Sequence, residues 1–212
     1  SIFIILNIIG LGVFFWVIFY AYHSYHQLNE VQTFAINLLA IAVVMGMAIK
    51  GRSKNLALVA TCAVYFVPFL VEMERASYSM YFTYFISVNI PLMIVSYYRK
   101  WKVINLFAYV FTLGTFIIWL MYTEMNEEKF YGAFIFATAY YLKFFLMNLL
   151  YILRRDVVAT PTDIKIHLFN TFIYFLLGIY ILTHWHSSQY IAYFASVIAV
   201  LNLMYATLLY TH

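Results

Sequence analysis

RKWKVINLFAYVFTLGTFIIWLMYTEMNEEK, residues 99–129, decides how this chain folds. It opens on three cations in four residues (Arg99, Lys100, Lys102), runs through the twenty uncharged residues Val103–Tyr122, and closes on Glu124, Glu127 and Glu128. At about 1.5 Å rise per residue, such a run spans roughly 30 Å as a helix, the thickness of a bilayer's hydrocarbon core. The abundance of Tyr and Phe would also suit strands. A membrane-barrel strand, however, takes only about ten residues and alternates apolar with polar. This run is continuous and twice that long, so the reading is a transmembrane helix.

The same pattern recurs along the chain. Eight apolar stretches lie at roughly 2–21, 31–49, 55–72, 79–98, 103–122, 130–153, 166–184 and 189–210. Polar breaks separate them: YHSYHQLNE at 22–30, KGRSK at 50–54, EMERAS at 72–77, RKWK at 99–102, TEMNEEK at 123–129, RRDVVATPTDIK at 154–165 and HWHSSQ at 184–189. Composition points the same way. Of 212 residues, 66% are hydrophobic and only 9% are charged, against about 25% charged in an average soluble domain. Mean hydropathy is +0.88. Too few polar side chains are present to cover a water-facing surface, and the hydrophobicity is the opposite of what disorder requires. The fold class expected is all-α: a polytopic transmembrane helical bundle of about eight spans built from hairpins, forming a single domain over residues 1–212.

Charge placement tests that count. Every second break carries the cations: Lys50, Arg52 and Lys54; Arg99, Lys100 and Lys102; Arg154, Arg155 and Lys165. These are nine of the twelve basic residues. The intervening breaks hold Glu30, Glu72, Glu74, Glu124, Glu127 and Glu128, with Arg75 and Lys129 as their cations. Lys and Arg beside short loops mark the cytoplasmic side. The basic breaks and both chain ends are therefore expected in the cytoplasm, and a miscounted span would have broken the alternation. Interfacial aromatics agree, with Trp16, Tyr20, Tyr22, Trp119, Tyr122, Trp185 and Tyr190 toward the outer ends and Tyr97, Tyr98, Trp101 and Tyr151 toward the inner ends. Their amphipathic rings prefer the headgroup level.

Three hairpins share a loose plan. Each follows a basic inner loop with an Asn near the start of the outgoing helix (Asn55, Asn105, Asn170) and carries another on the returning helix (Asn89, Asn148, Asn202). The spacing is not a strict period; a duplicated hairpin and convergence on membrane composition both account for it. The chain starts at Ser1 with no basic n-region or cleavage site, so a signal peptide is not read here and a piece of a longer protein is expected. Cys62 is the single cysteine, which excludes a disulfide framework and a cysteine-rich metal site.

The segment from Pro68 to Trp119 resembles a known family. PFL at 68–70, FTYFISVN at 82–89, SYYRKWKVINLFAYVFT at 96–112 and Trp119 are similar to the bacterial multi-spanning family called domain of unknown function 2339, and TPTDIKIHLFNTFIYF at 160–175 continues the likeness. It covers roughly residues 55–210, the first two helices matching in character alone. Val67 stands where the pattern has Thr, and Pro91 follows Asn89 where it has a small residue. The resemblance implies a long inner-membrane protein of many hairpins, often preceded by a charged soluble region. It brings no activity and no functional residue.

Lys143 is the most informative single residue. It lies about 15 Å from the inner end of the sixth stretch and about 20 Å from the outer end. A lysine side chain cannot snorkel that far, and an ammonium at mid-bilayer costs about 2.5 kcal/mol or more. Lys143 should therefore face the bundle interior or a wet cavity. Either the amine sheds its charge, or carbonyls, Tyr hydroxyls and Asn side chains hold it. Asn89 and Asn202, expected at similar depth, complete the candidate binding group with Lys143. The bland alternative is an internally solvated lysine that fixes packing.

Other polar residues read as structural. Asn37, Asn89, Asn105, Asn148, Asn170 and Asn202 suit interhelical hydrogen bonds, each worth about 0.6 kcal/mol on average. Ala42 with Gly46, Ala133 with Ala137 and Ala195 with Ala199 would permit close helix approach. Pro68 and Pro91 fall inside spans and should kink them. His23, His26, His184 and His186 gather on the outer side, where imidazole could ligate a metal, but interfacial histidines need no metal to explain them and no metal site is expected. No glycine-rich phosphate loop, GxSxG, HExxH or paired intramembrane carboxylate occurs in the sequence, and topology accounts for the basic loops without nucleic acid.

The leading expectation is a non-enzymatic membrane module with a structural or scaffolding role, no cofactor, and lipids, other membrane subunits or further copies of itself as partners. It is expected in the bacterial inner (cytoplasmic) membrane. The rival is a transporter or lipid-linked-substrate handler using Lys143. A third class is an enzyme acting at the outer face through the four histidines.

Overall fold

The computed structural model describes residues 2–70, 78–124, 126–152, 161–185 and 188–211. Among them are eight α-helices: α1 (Ile2–His23), α2 (Glu30–Lys50), α3 (Lys54–Leu70), α4 (Tyr78–Arg99), α5 (Lys102–Tyr122), α6 (Glu127–Ile152), α7 (Pro161–His184) and α8 (Ile191–Thr211), with one 3₁₀ turn at Ser188–Tyr190. No strand occurs among the described residues. Each helix coincides with one of the eight apolar stretches. Glu72, Glu74, Arg75, Arg154, Arg155 and His186 fall outside the described residues.

Six of the eight helices, α1, α2, α5, α6, α7 and α8, are long and apolar enough to cross a membrane. The other two differ for separate reasons. The apolar part of α3 is shorter, Lys54–Pro68. α4 has 22 residues, but its Tyr, Ser, Thr and Asn side chains dilute its hydropathy. Pro68 and Pro91 both lie inside helices, as the sequence implied.

The polar breaks carry the chemistry that ends helices. Asn29 caps α2 with a reciprocal box: its Oδ1 accepts from the Gln32 amide at 2.8 Å, and Gln32 Oε1 accepts from the Asn29 amide at 3.0 Å. Such a box satisfies two amides that the first helical turn leaves open. At the start of α6 Asn126 accepts from the Lys129 amide at 2.9 Å, satisfying one such amide. Glu127, Glu128 and Asp163 stand in first turns, and Lys50 and Arg99 in last turns, each matching the sign of the helix dipole. Three short turns place a non-glycine residue in the left-handed region: His26 (φ 48°), Arg52 (φ 52°) and Lys100 (φ 58°). Such a residue costs about 1–2 kcal/mol, which the helices packed on either side of the turn must offset.

The chain forms two compact units, Ser1–Thr115 and Phe116–His212, which divide α5 between them. The expected single domain therefore has two centres of packing. In unit 1, α2 runs along α3, with α1 beside both. Small residues on α3 allow the close approach: Ala57 and Ala60 are fully buried, along with Leu56 and Val67. The Arg99 guanidinium donates to the Ile49 carbonyl. That bond ties the end of α4 to the end of α2 and sets the basic turns at 50–54 and 99–102 at one end of unit 1. In unit 2, α7 packs along α6, and α8 lies against α7. Of the three small-residue pairs, only Ala133–Ala137 is buried; Ala42, Gly46 and Ala199 face outward. Gly178 on α7 is needed for packing, since a Cβ there would collide with the Phe194 ring.

Candidate functional site

Each unit holds a polar group inside its core, and the two are built differently. In unit 1 the group is Tyr65 (α3), Asn89 (α4) and Thr112 (α5). The Tyr65 hydroxyl donates to Asn89 Oδ1 at 3.1 Å and lies 3.1 Å from Thr112 Oγ1. Asn89 Nδ2 donates to Thr112 Oγ1 at 2.9 Å and to the Phe85 carbonyl of its own helix at 2.8 Å. All three side chains are at most 1% exposed. The Tyr65 ring is stacked against Phe85 (5.6 Å, 16°) and Phe111 (5.3 Å, 14°). Tyr84 donates from α4 to the Val64 carbonyl at 2.7 Å. Three helices are thus joined by a triangle of side chains in which each member meets the other two.

In unit 2 the polar group follows one face of α7. Asp163, His167, Asn170, Thr171 and Tyr174 recur at intervals of three and four, the spacing that lines up a helix face. Asp163, His167, Asn170 and Tyr174 are buried. From α8, Asn202 Nδ2 donates to the Ile198 carbonyl at 2.8 Å, so its Oδ1 is the acceptor for its other neighbours. His167 Nε2 stands 3.0 Å from that oxygen and Thr171 Oγ1 3.3 Å from it. Nε2 therefore carries the ring proton, and in the neutral ring Nδ1 carries the lone pair. The imidazole is stacked flat on Tyr205 at 3.7 Å and 13°, with Phe145 of α6 at its edge. Further along α7, Asn170 Nδ2 donates to the Tyr141 carbonyl at 3.4 Å, and Tyr174 shares a 2.8 Å bond with Thr138 of α6. Tyr141 and Tyr174 are stacked at 4.3 Å. Here the bonds do not close. His167 Nδ1, Tyr141 Oη and Tyr205 Oη are buried without a hydrogen-bond partner.

The three expected binding residues are divided between the units. Asn89 belongs to the triangle of unit 1, and Asn202 to the His167 group of unit 2. Lys143, in the middle of α6, sets its Nζ over the ring of Phe144, 3.6 Å from the centroid, an arrangement in which the ring face would attract the amine if it is charged. Of the histidines expected on the outer side, His184 Nδ1 stands 2.8 Å from the Tyr180 carbonyl of its own helix, and His23 packs on Phe19 and Tyr22. Among the described residues no group of three or more His, Cys, Asp or Glu side chains could hold a metal.

Sequence reasoning missed Asp163, His167, Tyr141, Thr171 and Tyr205. It started the seventh helix at 166 and left Asp163 in a loop. The helix in fact starts at Pro161, where proline suits the first helical position. That extra turn brings Asp163 into line with His167 at i,i+4. The proline followed by an aspartate two residues on was the available signal.

The arrangement defines a class: a helical integral membrane protein whose polar side chains are gathered inside its helix packing. More narrowly, the chain belongs to the predicted membrane protein family known as domain of unknown function 2339, whose model matches residues 4–212. The match takes in the first two helices, which the sequence resemblance, roughly 55–210, had left out. No curated protein and no solved structure matches the chain.

Proposed function

We propose that this chain is a non-enzymatic module of the bacterial inner membrane that crosses it eight times, with its basic turns and both ends in the cytoplasm, and that its role is structural. One observation carries the structural reading: the Tyr65–Asn89–Thr112 triangle uses intramembrane polar groups to join three helices, with each hydroxyl and amide directed to another. In lipid, where apolar burial does not distinguish a helix from its surroundings, such bonds and close packing hold helices together. Lipids surround the module, and other membrane subunits or further copies of the chain are the partners this role calls for.

A second reading rests on Lys143. A cation in the middle of a 26-residue helix is costly in a membrane and usually serves a path or a binding group. In that reading the chain transports a solute or handles a lipid-linked substrate, with Lys143 as its anion-binding group. One variant separates the two. In cells lacking their own copy, Lys143→Met restores the wild-type phenotype if the role is structural. If Lys143→Met accumulates at wild-type abundance and fails to restore it, the transport reading replaces the structural one.

A further inference from the structure

The group on α7 leaves three polar atoms unpaired within one small region, and that calls for an occupant. His167 is 1% exposed, Tyr141 2% and Tyr205 4%. Leaving a donor or acceptor buried and unmet costs about 1–3 kcal/mol each, so native proteins rarely tolerate one, let alone several together. The three atoms belong to one group. The His167 ring lies flat on Tyr205, its Nε2–H is fixed on Asn202, and Tyr141 is held to the same face of α7 by the Asn170 bond to its carbonyl and by stacking on Tyr174. The Asp163 carboxylate, one turn before His167, interacts electrostatically with Tyr205 and sits in the first turn of α7. Polar side chains therefore continue from the end of the helix to the unpaired atoms, about 12 Å along the axis from Asp163 to Thr171. Beyond Tyr174 the same face becomes apolar, with Gly178 against Phe194 and Ile181 fully buried.

We infer that α6, α7 and α8 enclose a water-filled inlet that opens at the Asp163 end of α7 and ends at the His167–Asn202–Tyr141 group, where water or a solute of the same small, uncharged, hydrogen-bonding kind is held. The unpaired atoms match that chemistry. Nδ1 accepts, the two phenols donate or accept, and a buried water uses two to four such partners. This goes beyond the structural role, since a module that only packs needs no water inside it.

Cysteine accessibility tests it. In the full chain carrying Cys62→Ala, reconstituted in sealed vesicles, Thr171→Cys and Asn170→Cys are compared with Phe172→Cys, which faces outward on the same turn, and Ile181→Cys, which is buried further along α7. The probe is a small charged methanethiosulfonate, which reacts with the thiolate that forms only in contact with water. Lys165→Cys, exposed beside the mouth, reports which vesicle face carries the Asp163 end. The inlet predicts that Thr171→Cys or Asn170→Cys reacts at least roughly tenfold faster than Phe172→Cys and Ile181→Cys, and only from the face that labels Lys165→Cys. Using two inlet positions guards against one variant that fails to fold. Equal rates at positions 171 and 172, no reaction at 170 and 171 in folded protein, or reaction from the opposite face would overturn the proposal.

Discussion

The two units place similar residues in similar surroundings and use them to different ends. In unit 1, Tyr65, Asn89 and Thr112 close a triangle between aromatic rings. Unit 1 also has buried polar atoms outside the triangle, Asn37 Oδ1 on α2, which makes no hydrogen bond, and the Tyr109 hydroxyl on α5, but neither takes part in it. In unit 2, His167, Asn202, Tyr141 and Tyr205 form a group whose bonds leave three atoms over. The contrast teaches that an intramembrane polar residue is not informative by its type. A closed set stabilises helix packing and excludes water. An open set admits it, and connects the interior with the end of a helix.

The largest expected effect is on the rings that enclose the triangle. Phe85 is fully buried, stacked on Tyr65 and edge-on to Tyr81. Phe85→Ala should lower the unfolding free energy in mixed micelles by about 3–5 kcal/mol, the cost of an unfilled aromatic site. A loss under about 1 kcal/mol would show that unit 1 is not held together there. Next is Gly178→Ala in unit 2. Its new methyl meets the Phe194 ring, which Phe134, Tyr174 and Phe175 surround, so the ring has little room to yield. About 1–3 kcal/mol of destabilisation is expected by the same measurement.

The comparison is sharpest with matched removal of hydroxyls. Tyr65→Phe takes two bonds from the triangle and should cost about 1–2 kcal/mol. Tyr205→Phe takes a hydroxyl that bonds to no described side chain and should change stability by no more than about 0.5 kcal/mol. If the two changes cost the same, the distinction between a closed and an open group fails. Tyr141→Phe should behave as Tyr205→Phe does.

Most of the fold was legible because membrane helices announce themselves through long apolar runs, and every run became a helix. The caps went unread in the sequence, although Asn29 with Gln32 and Asn126 with Lys129 are local pairings. The start of α7 was missed because Asp163 and Lys165 looked like loop charges, although Pro161 marked the first turn. The candidate site was far less legible. Tyr65 meets Asn89 across 24 residues and Thr112 across 47, and such pairings depend on the register between helices, which no local pattern records. For the same reason Ala42 and Gly46 had the spacing for close packing and yet face outward, while Ala133 and Ala137 with the same spacing are buried. Asn89 and Asn202 were singled out as polar residues within apolar stretches, but the partners found with them are Tyr65 and Thr112 in one case, His167 and Thr171 in the other.

The central claim is that the chain threads the membrane as consecutive helices with its basic turns on one face. The direct measurement is impermeant thiol labelling of single cysteines in intact cells, in the Cys62→Ala chain, at Lys50→Cys, Lys100→Cys and Lys165→Cys on one side and Ser24→Cys and Glu124→Cys on the other. All five positions are exposed in the structure. The account predicts that the first three are protected until the membrane is opened, whereas Ser24→Cys and Glu124→Cys label from outside at once. Labelling of Lys50→Cys and Lys100→Cys from opposite faces would contradict it.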